Sequence, residues 1–408
     1  MKEDAMELQL DEFEAGPDDG GIDLADFHGL LAPVSAERFQ AEYWQNKPLL
    51  IRGRLRRSIQ RVLSLPLIDA LLGQAVLRPT DLRASKDHHP AERDRLFPEG
   101  VADKQAVFDL FGEGYSLIFD QIDRHLPALG AVMYAWETAL KQPVRANAFL
   151  TPRSSRGFNR HFDTHDVVVV QVHGSKVWDV CDSPLPLPHE DQQHLSSHHG
   201  ARAALIRQVE LQPGDVLYLP RGFVHGAQAN AGDTLHLSVS IRNRALREVL
   251  AAGLREQVLR TPALKAGLRF DTDAAPRIKR ELLAAVERID VGAALADLGA
   301  AFLGQRQRVD NRLSEFEAAR ALRPESRLRF APQAWLETVE DAEGISVIAN
   351  GERIRFAGGD ERLLAALRSR TPFLAGEFPC AAGQEPLAAA RDLYLSGVLR
   401  ADDTDVRV

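Results

Sequence analysis

Residues 160–178, RHFDTHDVVVVQVHGSKVW, place two imidazoles and two carboxylates in the six positions from His161 to Asp166 and then run into four valines. In extended backbone, residues i and i+2 share a face, so His161 and Asp163 present an imidazole and a carboxylate side by side while Phe162 points away. Two such donors are half of a mononuclear metal site. A third is offered by LQPGDVLYLPRGFVHGAQAN, where Pro213-Gly214-Asp215 reads as a turn, Val216 to Leu219 as a strand, and Pro220-Arg221-Gly222 breaks the run before His225. A β-rich fold that brings this segment beside the first gives His161, Asp163 and His225 as a 2-His-1-carboxylate facial triad. That pattern leaves coordination positions open and is diagnostic of non-haem Fe(II) oxygenases.

An H-x-D triplet alone is a weak signal, and the distal motif gives it weight. His165 and Asp166 are rival ligands by residue type, although His165 is better placed at the cavity rim or against a substrate. The cluster His189, His194, His198 and His199 lies in a polar, Pro-flanked stretch that reads as a solvated loop. His173 falls in the turn VHGS and is expected to be exposed. His236, alternating with Leu235 and Leu237, reads as a hydrogen-bonded structural histidine. Lys176 opens the strand after DVVVVQV. Inside a β cavity it needs a carboxylate partner, because an unpaired buried charge is costly; on an edge strand it simply faces solvent. Ser238 and Ser240, alternate residues of a late strand, either complete a carboxylate pocket or fill space.

These residues have to be positioned by a β core. Residues 145–243 hold short β-type runs separated by turn chemistry (VRANAFL, DVVVVQV, KVWDV, ALIRQVEL, DVLYLP, TLHLSVSIR), the texture of a sandwich or barrel. Before it, Ser35 is a helix cap ahead of Phe39, Tyr43 and Trp44, and Leu49-Leu50-Ile51 starts a strand. Residues 59–145 read as a helical elaboration, and the acidic, Gly-punctuated residues 1–26 as a flexible tail. Residues 244–323 show helical periodicity. In residues 324–408, Asn350-Gly351 is a type I′ hairpin signal followed by two helices, an α+β module of winged-helix-like order.

Composition narrows the classes. The chain has 408 residues, 45% apolar and 26% charged, enough for two or three domains. No apolar run reaches the roughly 18 residues of a membrane span, and the N-terminus lacks signal-peptide character, so a cytoplasmic protein with no membrane contact is expected. The two cysteines, Cys181 and Cys380, suggest neither disulfides nor a thiolate zinc site, which leaves a metal to nitrogen and oxygen donors. A net charge of −8 argues against direct DNA binding and suits a basic protein or peptide partner.

The H-x-D pair, the QVHGSKVWDV hairpin, the PGDVLYLPRGFVH motif and the early FQAEYWQNKPLLIRG together resemble the JmjC-type ribosomal oxygenase branch of the cupin superfamily. The resemblance implies an α+β chain: a double-stranded β-helix (jelly-roll) catalytic core at 27–243, a helical dimerisation region at 244–323 and a winged-helix-like domain at 324–408. It implies Fe(II) held by His161, Asp163 and His225, with 2-oxoglutarate as cosubstrate, O2 as oxidant and Lys176 on the distal carboxylate. Family members hydroxylate arginine or histidine side chains of ribosomal proteins, so such a substrate and a homodimer are expected. Relatives often carry a tyrosine in the strand before H-x-D; here Phe149 stands in NAFLTP, and Asn147, Thr151 or the two serines are the residues that could compensate. Two other classes share parts of this pattern: a cupin metalloenzyme acting on a small molecule or orphan peptide, and a non-catalytic ribosome- or nucleic-acid-binding module. A requirement for 2-oxoglutarate separates the first, and nucleic-acid binding without turnover the second.

Overall fold

The computed structural model describes residues 9–16, 18, 20–267, 275–306, 312–331, 334–341, 344–358, 361–380 and 384–402. It divides into two compact units, residues 1–243 and 244–408.

Among the described residues the first unit carries twelve strands: β1 (Asp11–Glu14), β2 (Leu49–Arg52), β3 (Leu82–Lys86), β4 (His89–Pro90), β5 (Ser116–Phe119), β6 (Val144–Thr151), β7 (Asp166–His173), β8 (Lys176–Cys181), β9 (Leu205–Leu211), β10 (Val216–Leu219), β11 (His225–Ala229) and β12 (Thr234–Ile241). They form a nine-stranded sheet, β1-β2-β10-β7-β12-β6-β5-β3-β4, and a three-stranded sheet, β11-β8-β9. From β7 to β12 the chain passes repeatedly between the two sheets, the jelly-roll pattern expected of the core.

The valine run explains itself in this frame. Val168, Val170 and Val172 enter the core shared with Phe39, Tyr43 and Trp136, on the helical side of the large sheet. Val167 and Val169 face the other way, between the sheets, with Trp178, Val180, Leu217 and Leu219. β7 is therefore buried on both faces, and an unbroken apolar run is what such a strand needs. Each buried valine contributes about 1.5–3 kcal/mol over leaving it exposed.

Two expectations need correction. The acidic N-terminal segment is not a free tail over its described part. β1 pairs in parallel with β2, Asp11 accepts from Tyr43 and Lys47, and Asp18 accepts from the backbone of Gly20, Arg57 and Ser58. Gly20 apart, its partners lie dozens of residues away, so local composition could not reveal them. Residues 1–8, 17 and 19 lie outside the described residues. The stretch 59–145 does hold helices Leu65–Gln74 and Pro127–Leu140, but it also supplies β3, β4 and β5, which widen the large sheet beyond β6.

In the second unit, helices Leu246–Arg260, Ala275–Glu287, Val291–Leu303 and Arg312–Ala321 precede six short strands. β13 (Arg327–Phe330) lies between β17 (Phe373–Leu374) and β18 (Leu399–Ala401), and β14 (Glu337–Asp341), β15 (Gly344–Ala349) and β16 (Glu352–Ala357) form a meander. Asn350 and Gly351 both have positive φ, 52° and 81°, as the type I′ turn joining β15 and β16 requires. Helices Glu361–Ser369 and Pro386–Leu395 pack on their own core around Leu328, Val347, Phe356 and Leu393. Among the described residues, no helix is long and apolar enough to cross a membrane.

Candidate metal and cosubstrate site

His161 sits just ahead of β7 and is not part of a regular strand. A single antiparallel bridge ties it to His225, the first residue of β11, with His161 N–H donating to the His225 carbonyl at 2.9 Å and the reverse bond at 2.8 Å. The Pro220-Arg221-Gly222 turn is clamped to the same segment. Gly222 N–H donates to the Asp163 carbonyl, and Arg221 N–H donates to the Asp166 carboxylate, which also accepts from the Tyr218 hydroxyl at 2.7 Å. Gly222 has a φ of 90°, and a Cβ there would lie 2.5 Å from the Leu185 carbonyl oxygen, so only glycine fits. Asp166 is thus a fully buried anchor of the distal loop rather than a rival ligand, which accounts for its presence beside the H-x-D pair.

The segment is held from behind by the histidine-rich stretch, whose His194 and His198 are exposed as a solvated loop requires but whose Ser196 and Gly200 are buried. The buried Ser196 hydroxyl accepts from Phe162 N–H and donates to the Phe162 carbonyl, and Phe162 itself is buried with Cys181 and Val224. A Cβ on Gly200 would lie 2.0 Å from the Arg160 carbonyl oxygen. The turns Glu190–Leu195 and Ser196–Gly200 therefore press directly against the residues around His161.

One ligand atom each from His161, Asp163 and His225 lie within 4.8 Å of one another, the single such grouping among the described residues. His161 Nδ1 is 2.8 Å from the Asn159 carbonyl and His225 Nδ1 is 3.0 Å from the Phe223 carbonyl. A carbonyl only accepts, so both Nδ1 atoms carry the proton and both Nε2 atoms present a lone pair, the tautomer a metal requires. His225 Nε2 lies 3.6 Å from the Asp163 carboxylate. Burial, aided by His161, pushes His225 down to about 4, so it is neutral near pH 7. At Asp163 burial acts to raise the pKa, but the imidazoles of His165, His161 and His225 outweigh it and hold the carboxyl below its usual range.

The three groups open onto a cavity of about 330 Å³ between the two sheets. The inward faces of β6 (Asn147, Phe149, Thr151), β8 (Lys176, Trp178) and β12 (His236, Ser238) line it, with Ser116, Phe158 and His165. Lys176, on the central strand of the small sheet, is 3% exposed. Its Nζ donates to the Thr151 hydroxyl at 3.0 Å, and no carboxylate lies within ion-pair distance of it among the described residues. Burial lowers its pKa to about 7. Thr151 also accepts from Ser116 at 3.0 Å. Asn147 lines the cavity, and its side-chain oxygen accepts from Gln121 N–H.

Ser240 does not join this group. Two residues beyond Ser238, it donates to the Arg145 carbonyl and lies off the lining. His236 is also placed differently from its expected role: it lines the cavity, and its Nδ1 finds no hydrogen-bond partner. Arg83 and Ser116 went unseen in the sequence because β3 and β5 lie in a stretch read as helical. Trp178 was within reach, since it follows Lys176 by two on one strand.

The JmjC domain family model matches residues 131–249. Among curated proteins, the bifunctional lysine-specific demethylase and histidyl-hydroxylase NO66 of Drosophila erecta is 28% identical over 252 residues, covering 60% of this chain and 38% of that protein. Its Aedes aegypti namesake is 30% identical over 219 residues, covering 53% and 34% respectively. The chain thus spans about a third of the length of the curated relatives it matches. Among solved structures, Escherichia coli YcfD aligns with a TM-score of 0.51 at 18% identity, over 90% of this chain and 98% of that one. The same protein, described as a ribosomal oxygenase in complex with cobalt and succinic acid, gives 0.51 at 19% identity over the same shares. At these identities the structural likeness is one of fold. The segment that matches the JmjC domain model contains β6 to β12 and with them all three residues of the His-Asp-His cluster.

Proposed function

We propose that residues 27–243 form an Fe(II)- and 2-oxoglutarate-dependent oxygenase domain that hydroxylates a protein side chain, an arginine or histidine of a ribosomal protein. The observation that carries the reading is the pairing, in one cavity, of the His161, Asp163 and His225 cluster with Lys176, a buried cation lacking an acidic partner among the described residues. Two imidazole donors and one carboxylate suit Fe(II) and leave it a net positive charge, with room for further ligands on the cavity side. The chemistry such a centre supplies is oxidation of a C–H bond by O2, coupled to decarboxylation of 2-oxoglutarate to succinate.

The chain's own residues do the rest. His161 and His225 hold their Nε2 lone pairs inward through their Nδ1 bonds to backbone carbonyls. Lys176, with Thr151, Asn147 and Ser238 on neighbouring positions, receives and orients the far carboxylate of the cosubstrate. Val167, Phe149 and Trp178 keep water from the space between. The relatives' activities, histidyl-hydroxylase and ribosomal oxygenase by name, support a ribosomal protein as substrate.

In this reading the protein works in the cytoplasm as a homodimer. Its helical region 244–323 mediates pairing, and residues 324–408 act as a winged-helix-like domain. The exposed leucines Leu246 and Leu259, 80% and 67% exposed on one helix, and Leu282, Leu283 and Leu295 on two later helices support pairing. The test is to incubate the purified chain with Fe(II), 2-oxoglutarate and ribosomes from cells lacking it, then analyse the ribosomal proteins by mass spectrometry. One added oxygen atom on a single arginine or histidine, absent with His225→Ala, is expected. Unmodified ribosomal proteins alongside active 2-oxoglutarate turnover would remove the ribosomal substrate and leave the oxygenase.

A further inference from the structure

The roles given so far leave His236 without a function. Its ring is 3% exposed, stacked on Phe149 at 4.8 Å and 8° and set edge-on to Trp178 at 5.4 Å and 82°. Nδ1 is buried without a hydrogen-bond partner. An unsatisfied buried polar atom is destabilising, and an all-carbon ring would stack in the same place without that penalty. The nitrogen-bearing ring is therefore placed for a partner that the described residues do not supply.

The strand register says where that partner lies. His236 is opposite Phe149 in the β12–β6 pair. Thr151 follows Phe149 by two on the same face of β6, and Lys176 precedes Trp178 by two on the same face of β8. The His236 ring thus stands one step along the cavity from the Lys176–Thr151 pair, and all of these residues line it. The Thr151 hydroxyl accepts from both Lys176 and Ser116. Both of its lone pairs are then engaged, and its own proton is left to be donated. This end of the cavity presents an ammonium, a hydroxyl proton and an imidazole, a set matched to the several lone pairs of one carboxylate.

We infer that His236 is a cosubstrate-positioning residue, donating a ring N–H beside Lys176 and Thr151 to the distal carboxylate of a 2-oxo dicarboxylic acid. The inference rests on the cosubstrate reading given above and adds a residue that selects the dicarboxylate. Burial and the neighbouring Lys176 both keep the ring neutral, so it carries one N–H and remains a donor without adding a second charge.

The test uses the full chain loaded with Mn(II) and measures binding of 2-oxoglutarate and of 2-oxovalerate, which lacks the distal carboxylate, by calorimetry. His236→Phe keeps the stacking and removes the nitrogens, and His236→Asn restores a donor. The expected result is roughly ten-fold weaker 2-oxoglutarate binding by His236→Phe, the loss of one charge-assisted hydrogen bond. 2-Oxovalerate binding should be unchanged, and His236→Asn should recover part of the difference. Unchanged 2-oxoglutarate binding by His236→Phe, or equal weakening of both acids, would overturn the inference and leave the oxygenase reading standing. Failure of the unaltered protein to bind 2-oxoglutarate would overturn both.

Discussion

The two ends of the cavity make opposite electrostatic demands on single residues. At the triad, Asp163 is ionised and His225 neutral across the physiological range. Asp163→Ala or His161→Ala should therefore weaken Mn(II) binding by at least ten-fold, read by titration of the metal's paramagnetic signal. At the far end, burial brings Lys176 to about 7. Below that pH it is protonated both folded and unfolded. Between about 7 and roughly 10.4 the unfolded chain holds the extra proton, so the stability of the ligand-free protein should rise with pH across that window. A carboxylate needs the ammonium form, so 2-oxoglutarate affinity should fall as pH rises above 7, and binding at pH 8 should take up a proton. Calorimetry in two buffers of different ionisation enthalpy would show that uptake; a binding heat independent of buffer would contradict it. Lys176→Met removes a buried charge and should stabilise the ligand-free chain by roughly 1–3 kcal/mol while abolishing 2-oxoglutarate binding.

Positioning these residues is the work of elements that carry no chemistry themselves. The Ser196 hydroxyl holds both backbone groups of Phe162, between two triad residues. Ser196→Ala should cost about 1–3 kcal/mol in stability and weaken metal binding, checked by thermal unfolding and Mn(II) titration together. The sequence made the core legible where the signal was periodic or punctuated. The valine-rich β7, the HG and PGD turns and the alternating β12 are each found where the sequence places them. It hid what depends on distant pairing: β1 against β2, β3 and β5 beside β6, and the packing of the histidine-rich turns on Phe162. Residue type likewise could not separate Asp163 from Asp166. The distinction comes from Tyr218 and the Arg221 backbone, which donate one bond to each oxygen of Asp166, while Asp163 faces the cavity.

For the molecule as a whole, a cavity lined by both polar and apolar residues lies in one compact unit and a helical surface with exposed apolar side chains in the other. If that surface pairs two copies, sedimentation should give a dimer mass, and the combined change Leu246→Glu and Leu259→Glu should give a monomer; a monomeric unaltered chain would remove the pairing. Succinate formation reads the chemistry of the cavity itself. The purified chain is supplied with Fe(II), O2 and 2-oxoglutarate, and compared with His161→Ala, His225→Ala and Lys176→Met. Slow succinate release by the unaltered protein is expected even without a protein substrate, and its loss in all three variants. No succinate, together with no calorimetric binding of 2-oxoglutarate, would contradict the oxygenase reading and return the domain to a binding role.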